Sequence, residues 1–246
     1  MKWLAEAPSN IALIKYMGRK NEDNKIPANA SLSYTLPHLK IFVELELAEP
    51  NQKSSHWEPL IKPGASPIAL STLGQQRFLD HLHRVLRVFF HDSPIPCFIL
   101  RSCNNFPLGV GLASSASSFA ALTLVAAQAG AELAQQKALP IETIISLSRQ
   151  GSGSSCRSFY EPWVLWDNET VTKLNYPAYN HLIHQVILLE THEKAVSSSK
   201  AHQRVKTSPI YSERSERAEQ RLKIFIEALE NKNWAKLYQI AWDEFQ

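Results

Sequence analysis

The stretch NNFPLGVGLASSASSFAALTLVAAQAG, residues 104–130, sets Gly109, Gly111 and a run of serines directly ahead of a long apolar segment. Few local structures accommodate that order. A flexible linker does not, because the serines run without a break into Phe119, Ala120, Ala121, Leu122 and Leu124, which are helix-forming, core-facing residues. A membrane span does not, because Ser114, Ser115, Ser117, Ser118 and Thr123 interrupt an apolar run that closes at Gln128, with Gly130 placed as a C-terminal cap. What remains is a strand, a glycine-containing loop and a helix N-terminus. The strand is CFILRS, residues 97–102, and Gly109 and Gly111 let backbone approach a ligand closely. The first helical N–H groups and the helix dipole attract phosphate, with the Ser114 and Ser115 hydroxyls beside them. Serving as ordinary N-caps is the plainer use of the same serines. No G-K-[ST] follows, so this is not a Walker A loop.

The remainder of the chain bounds the setting. Its 246 residues, 44% hydrophobic and 20% charged, suffice for one large domain or two small ones. A formal net charge of +3 suits anionic small molecules, while the lack of Lys/Arg runs argues against a nucleic-acid binder. Cys97, Cys103 and Cys156 are odd in number and lack C-x-x-C spacing, which indicates neither a disulfide framework nor a zinc site and points to a reducing cytoplasm. The N-terminus has no signal-type apolar region, and no apolar run is long enough to cross a bilayer, so neither export nor membrane insertion is expected.

IFVELELA, residues 41–48, alternates Val43, Leu45 and Leu47 with Glu44 and Glu46, the pattern of a strand with one solvated face. Phe78, Leu82, Val85, Leu86 and Phe89 recur at helical spacing, and WVLW (163–166) and QVILLE (185–190) read as further strands. This irregular mixture favours an α+β fold over a doubly wound sheet. Near the C-terminus Ser208 and Pro209 form an N-cap and N1 pair. Beyond them Leu222, Phe225, Ile226 and Leu229 line one helical face, and Trp234, Leu237, Tyr238, Ala241, Trp242 and Phe245 another. The pattern reaches Gln246 without a glycine cap or basic last turn, so the sequence is expected to be a fragment of a longer protein.

Three stretches resemble a known family. PLGVGLASSAS, residues 107–117, is similar to the P-x-x-x-G-L-x-S-S-A phosphate loop of the GHMP small-molecule kinase superfamily. NIALIKYMGRK (10–20) and RQGSGSSCRSFY (149–160) are similar to the N-I-A-x-I-K-Y-W-G-K and R-x-G-S-G-S-A-C-R-S-x-Y segments of the diphosphomevalonate decarboxylases. With ANASLSYTL (28–36) and KTSPIY (206–211), the resemblance runs from about Ala7 to the end of the chain. It implies an α+β GHMP-type N-terminal domain, ribosomal protein S5 domain 2-like, over residues 1–179, followed by an incomplete α+β GHMP C-terminal domain over 180–246. It also implies a homodimer that uses ATP and Mg²⁺. In that family the tertiary 3-hydroxyl of 5-diphosphomevalonate is phosphorylated, after which phosphate and CO₂ leave to give isopentenyl diphosphate.

By the same resemblance Pro107, Gly109, Gly111, Leu112, Ala113, Ser114, Ser115 and Ala116 hold ATP, and Lys15 lies near the reacting groups. Tyr16, Met17, Gly18, Arg19, Arg77, Ser152, Gly153, Ser154, Ser155, Cys156, Arg157 and Ser199 contact the substrate, with Arg157 also catalytic. The local chemistry agrees, since SGSSCR offers N–H groups, hydroxyls and a guanidinium to a multiply charged diphosphate. Plainer readings stand beside it: a solvated helix position for Arg77, surface charges for Lys15 and Arg19, and a small packed residue at Cys156.

The departures are specific. Arg19 stands where the family commonly has Lys, Met17 where it has Trp, and Glu161–Pro162 where it has a glycine pair, while residues 199–202 differ from S-T-x-G-M. The family's catalytic Asp belongs to a D-x-G-P-N segment that does not occur here, so it is expected beyond Gln246. The same scaffold leaves a mevalonate-type kinase, a phosphomevalonate decarboxylase and a non-catalytic phosphate-ligand binder as alternatives.

Overall fold

The computed structural model describes residues 1–21, 24–67, 69–107, 111–185, 187, 198–209 and 211–245, with backbone alone at 198–200 and 245. In chain order the elements are β1 (Lys2–Ile14), β2 (Arg19–Asn21), β3 (Ile26–Pro27), β4 (Ser31–Leu47), β5 (His56–Pro59), β6 (Ser66–Pro67), α1 (Thr72–Leu86), β7 (Phe98–Asn104), α2 (Ser114–Leu133), α3 (Ile141–Gly151), β8 (Trp163–Asp167), β9 (Thr170–Leu174), α4 (Ser198–Arg204), α5 (Arg214–Glu230) and α6 (Trp234–Phe245). None of the described helices is long and apolar enough to cross a membrane.

β4 organises the sheet. β1 runs antiparallel along one edge of it, from Lys2 opposite Glu46 to Ile14 opposite Leu32. On the other edge β8 pairs with Ser31–Tyr34 and β7 with Ile41–Leu47, giving the order β5-β7-β4-β8-β9 with β1 added on β4 and β6 on β7. The two halves of β4 differ because different layers cover them. In the second half Ile41, Val43 and Leu45 point into a core shared with Phe98 and Leu100 of β7, Leu82 and Val85 of α1, and Leu122 and Val125 of α2. In the first half every residue from Ser31 to Leu36 is buried. Leu32, Tyr34 and Leu36 pack with Leu222, Phe225 and Leu229 of α5 and Leu237 and Ile240 of α6. Ser31, Ser33 and Thr35 alternate with them and so face the other side of the sheet.

The expected strands at 41–48, 97–102 and 163–166 and the helix through Phe78–Phe89 are present, with some ends shifted. Several expectations need correction. The Glu44 and Glu46 face is not simply solvated: Arg101 of β7 donates to Glu44 Oε1 at 2.8 Å, Glu46 Oε2 at 2.5 Å and Glu58 Oε2 at 2.9 Å, a cross-strand network joining β4, β5 and β7. Ser208 and Pro209 do not start a helix. The Ser208 N–H closes a 3-10 turn onto Val205 O, its own carbonyl accepts from Tyr211, and α5 begins only at Arg214. On α6 the inward stripe is Leu237 and Ile240, joined by Glu244, whereas Trp234, Tyr238 and Trp242 are each more than half exposed. Of the strand expected at 185–190, residues 186 and 188–190 lie outside the described residues, and Gln185 and Ile187 are in no strand.

Gly130 is not a cap either. α2 continues to Leu133, and a Cβ at Gly130 would collide with the Phe89 ring. The glycine is there so that the helix can approach an aromatic side chain of the same core. Gly130→Val is therefore expected to destabilise the fold by about 1–3 kcal/mol through overpacking. Thermal unfolding should show it as a melting point lower by several degrees, at about 2–4 °C per kcal/mol for a chain of this size.

Candidate active site

At Ile14 β1 leaves the sheet, and the segment that follows is held by side chains from distant parts of the chain. The Lys15 N–H donates to Glu244 Oε1 at 3.0 Å, and the Lys15 carbonyl accepts from Asn29 Nδ2 and Arg214 Nη2, each at 3.0 Å. The Met17 N–H donates to Asn29 Oδ1 at 3.3 Å, and the Gly18 N–H to His202 Nδ1 at 3.1 Å. Gly18 adopts φ +80° with the Tyr211 hydroxyl where a Cβ would stand, so both conformation and space exclude a side chain. The Tyr16 ring stacks on His202 at 4.5 Å and meets Trp166 edge-on at 4.7 Å. Burial pushes the Tyr16 phenol up, opposed by the guanidinium charges of Arg157 and Arg19. Arg19 opens β2.

The second wall begins where α3 ends. Ser152 is extended, and Gly153–Ser158 form a 3-10 turn in which Ser155, Cys156, Arg157 and Ser158 are buried. Hydroxyls knit it together: Ser148 Oγ donates to Ser155 Oγ at 2.5 Å, Ser155 Oγ to Ser152 O at 2.7 Å, and Ser152 and Ser154 lie 3.3 Å apart. Asn10 Nδ2 of β1 donates to Ser158 Oγ at 2.9 Å. Gly153 sits against the Tyr16 hydroxyl, which joins this wall to the Lys15–Arg19 segment. Burial pushes the Cys156 thiol up to about 12, and its Sγ donates to Gly153 O, so it is a packing residue and not a nucleophile.

Arg157 is the unusual member. It is only 5% exposed, its Nη1 donates to Ser31 Oγ on the serine face of β4, and its Cζ lies 5.8 Å from the Tyr16 ring centre. Its Nε is buried without a partner, and among the described residues it forms no ion pair. Burial accordingly draws its pKa down. A desolvated cation of this kind is costly unless an anion meets it.

The third wall is the start of α2. Of its loop, Leu108, Gly109 and Val110 lie outside the described residues, while Pro107 is exposed and Gly111 has φ +88°. The N-cap is Ala113, in the left-handed region at φ +49°, with no side-chain cap. Ser114 and Ser115 therefore do not act as N-caps. Ser117 and Ser118 turn their hydroxyls back onto Ser114 O, leaving Ser114 and Ser115 on the first helical turn, half-buried and exposed respectively. Leu112 O accepts from the Ser9 hydroxyl of β1, which ties the loop to the same strand that delivers Lys15. Such an N-terminus offers N–H groups and positive potential to a phosphate.

Two further cations come from elsewhere. Arg77 is exposed on α1, with its Cζ 5.5 Å from the Phe119 ring. Lys25, which the sequence did not single out, donates through Nζ to Gln150 O at 2.5 Å and Gly151 O at 2.8 Å, the last carbonyls of α3 before the serine turn. Burial lowers its pKa to about 8, helped by the like charges of Arg19, Arg77 and Arg84. Ser199 lies on α4, which also carries His202, but its side chain is outside the described residues. A cavity of about 900 Å³ between α1 and the segment before β5 is lined by Lys53, His83, Arg84 and Arg87, and includes none of the three walls.

Asn29, Ser31, Lys25, His202 and Glu244 are neighbours of the candidate site that sequence reasoning missed. Asn29 and Ser31 lie in the quoted ANASLSYTL motif, but only the fold shows what they touch. Among the described residues no group of three or more His, Cys, Asp or Glu side chains is placed to hold a metal.

Comparison with known proteins identifies the family and the fold. A family model for the diphosphomevalonate decarboxylase-like N-terminal domain matches residues 7–176. The chain belongs to the diphosphomevalonate decarboxylase-like family. A diphosphomevalonate decarboxylase of Ganoderma lucidum is 34% identical over 233 residues, covering 85% of this chain and 55% of that one. The crystal structure of a mevalonate diphosphate decarboxylase from Legionella pneumophila superposes with a TM-score of 0.89 at 51% identity, over 100% of this chain and 76% of that one. A structure described as MDDEF in complex with MVAPP, AMPPCP and magnesium superposes at 0.78 with 28% identity, over 99% of this chain and 72% of that one. The fold is thus the α+β GHMP type that the sequence implied. The chain spans between about half and two thirds of the length of the curated relatives it matches first, from 54% to 65%.

The Lys25 environment generates a pH test. Its folded value near 8 lies below the ordinary 10.5, so the charged amine costs stability below about pH 8. That cost fades as pH rises from about 8 to 10.5. Urea unfolding should therefore show wild-type stability rising across this window relative to Lys25→Met, and a constant difference between the two proteins would refute the placement.

Proposed function

We propose that the protein is an ATP-dependent decarboxylase that converts (R)-5-diphosphomevalonate to isopentenyl diphosphate. The observation that carries this reading is the buried Arg157 guanidinium, set in a turn of serines with an Nε that has no partner. A diphosphate supplies the missing counter-charge, and family membership supplies the substrate class. A relative's association with MVAPP, AMPPCP and magnesium supports ATP and Mg²⁺ here. The open, uncapped N-terminus of α2 fits the phosphates of ATP. Mg²⁺ would arrive on those phosphates, since the described residues provide no ligand cluster of their own. When bound, MgATP supplies the phosphoryl group that makes the tertiary hydroxyl a good leaving group.

The chain's own residues then act mainly by position and charge. Arg157, Ser154 and the hydroxyls and N–H groups of residues 152–156 hold the diphosphate end. Tyr16, Met17, Gly18 and Arg19 close its opposite side, and Arg77 and Ser199 complete the shell. Lys15 directs its amine toward the reacting groups. Pro107, Gly109 and Gly111–Ala116 cradle the triphosphate, with helix N–H groups offsetting charge as the phosphoryl group moves. The aspartate expected beyond Gln246 belongs to this proposal as the residue that acts on the 3-hydroxyl. So do a division of the chain near Tyr179, supported by the family match ending at 176, a homodimer, and a cytoplasmic location, supported by free Cys97, Cys103 and Cys156.

The test is incubation of the 246-residue chain with ATP, Mg²⁺ and 5-diphosphomevalonate, following ADP and CO₂ together. With that aspartate expected beyond Gln246, diphosphomevalonate binding without turnover is the expected result for this chain, and equal amounts of both products would mean that a residue within it takes the aspartate's place. ADP without CO₂ would make the protein a kinase, and failure to bind diphosphomevalonate would overturn the reading. Arg157→Met should weaken diphosphomevalonate binding about 100-fold, the cost of leaving a desolvated anion without its cation. Unchanged affinity by calorimetry would overturn the site assignment.

A further inference from the structure

The Lys15 peptide lies just past the end of β1, so its polar groups need partners that the sheet does not provide. Two of those partners come from the helical hairpin at the far end of the chain. Glu244 accepts the Lys15 N–H at 3.0 Å, and Arg214 donates to the Lys15 carbonyl at 3.0 Å. Glu244 sits on the inward stripe of α6 with Leu237 and Ile240, and its side chain is 0% exposed. A hydrophobic residue there would serve simple packing of α6 on α5 as well or better, because buried ion pairs contribute little to stability against apolar replacements.

Its bonds define what the carboxylate does. Oε1 takes both the Lys15 N–H and Arg214 Nη2, and Oε2 takes Arg221 Nη1 at 2.9 Å. With both oxygens bound to cationic or backbone donors and no exposure, Glu244 is not placed to exchange a proton with a ligand. It is placed to hold a backbone. From the held peptide, Lys15 leads directly to Tyr16, whose ring lies beside Arg157, and to Gly18, latched by His202.

We propose that Glu244, together with Arg214, is a positioning pair that fixes the Lys15 main chain and thereby aims the Lys15 amine and the Tyr16 ring into the site, making the α5–α6 hairpin part of the catalytic apparatus. This rests on the reading of Lys15 as a site residue. The test has two arms, both on the 246-residue chain. In the first, amide hydrogen exchange is followed over residues 13–19. Glu244→Gln keeps the shape but weakens the bond to the Lys15 N–H and leaves two guanidiniums without their counter-charge. It should speed exchange in that segment by about tenfold or more, the size expected for losing a hydrogen bond to a charged group. Exchange in α2 should stay within about twofold of wild type, which also verifies that the variant is folded.

In the second arm, Glu244→Gln should lower kcat about tenfold with KM within about threefold, and Glu244→Asp should restore part of the loss. Combined with Lys15→Met, it should cost no more than about twofold beyond Lys15→Met alone. If the chain binds diphosphomevalonate without turnover, affinity replaces kcat in this cycle. Unchanged exchange at 13–19, or an equal loss with and without Lys15, overturns the positioning role. An unaltered Lys15→Met protein would refute the site reading itself, a result that the exchange arm distinguishes from failure of the clamp.

Discussion

The antiparallel pairing of β1 with β4 is the constraint from which the rest of the structure follows. It extends from Lys2 opposite Glu46 to Ile14 opposite Leu32, so β4 must serve two environments along its length. Where α1 and α2 cover it, one face is aliphatic and the other carries glutamates paired with Arg101. Where the C-terminal helices cover it, the apolar residues face those helices. The alternate serines then become a polar floor, and Ser31 on that floor accepts from Arg157. The same pairing delivers Ser9 to the phosphate-type loop, Asn10 to the serine turn and Lys15 to the site entrance, all from one strand.

The candidate site was more legible in the sequence than the elements that carry it. Glycines, serines and an arginine in fixed order announce a tight turn rich in hydrogen-bond donors locally, because such turns need small side chains. Position 113 illustrates the limit, since a left-handed alanine caps α2 where the serines were the obvious candidates. β1 went unread because KWLAEAPSNIALI lacks a clean period of two and contains a proline, and its strand character comes from long-range pairing with β4. Gly130 looked like a cap because nothing in the sequence reveals Phe89 packed against it. The sequence pattern grouped Leu237 with Trp234, Tyr238 and Trp242 on one face of α6, but Leu237 and Ile240 occupy the inward stripe, and three aromatics at four-residue spacing fall on another face.

The electrostatics of the site point one way. Arg157 is buried without a carboxylate among the described residues, burial and then neighbouring like charges lower the Lys25 pKa, and the end of α2, without a side-chain cap, adds partial positive charge. The buried Arg157 charge in particular disfavours the ligand-free fold, and an anion beside it would relieve that cost. Stability and binding are therefore coupled, as expected when a site is assembled in advance of its ligand.

The Lys15–Arg19 segment shows why such a site needs more than its own motif. Its N–H and carbonyl groups are engaged by Asn29, His202, Arg214 and Glu244, which are separated from it by between 12 and 229 positions. The residues proposed to touch a ligand are thus oriented by others far away in sequence, and the latter follow no short pattern. A carboxylate on the packed stripe of α6 reads as an anomaly in the periodicity of that helix. It becomes intelligible only when the peptide it holds is seen to begin the site.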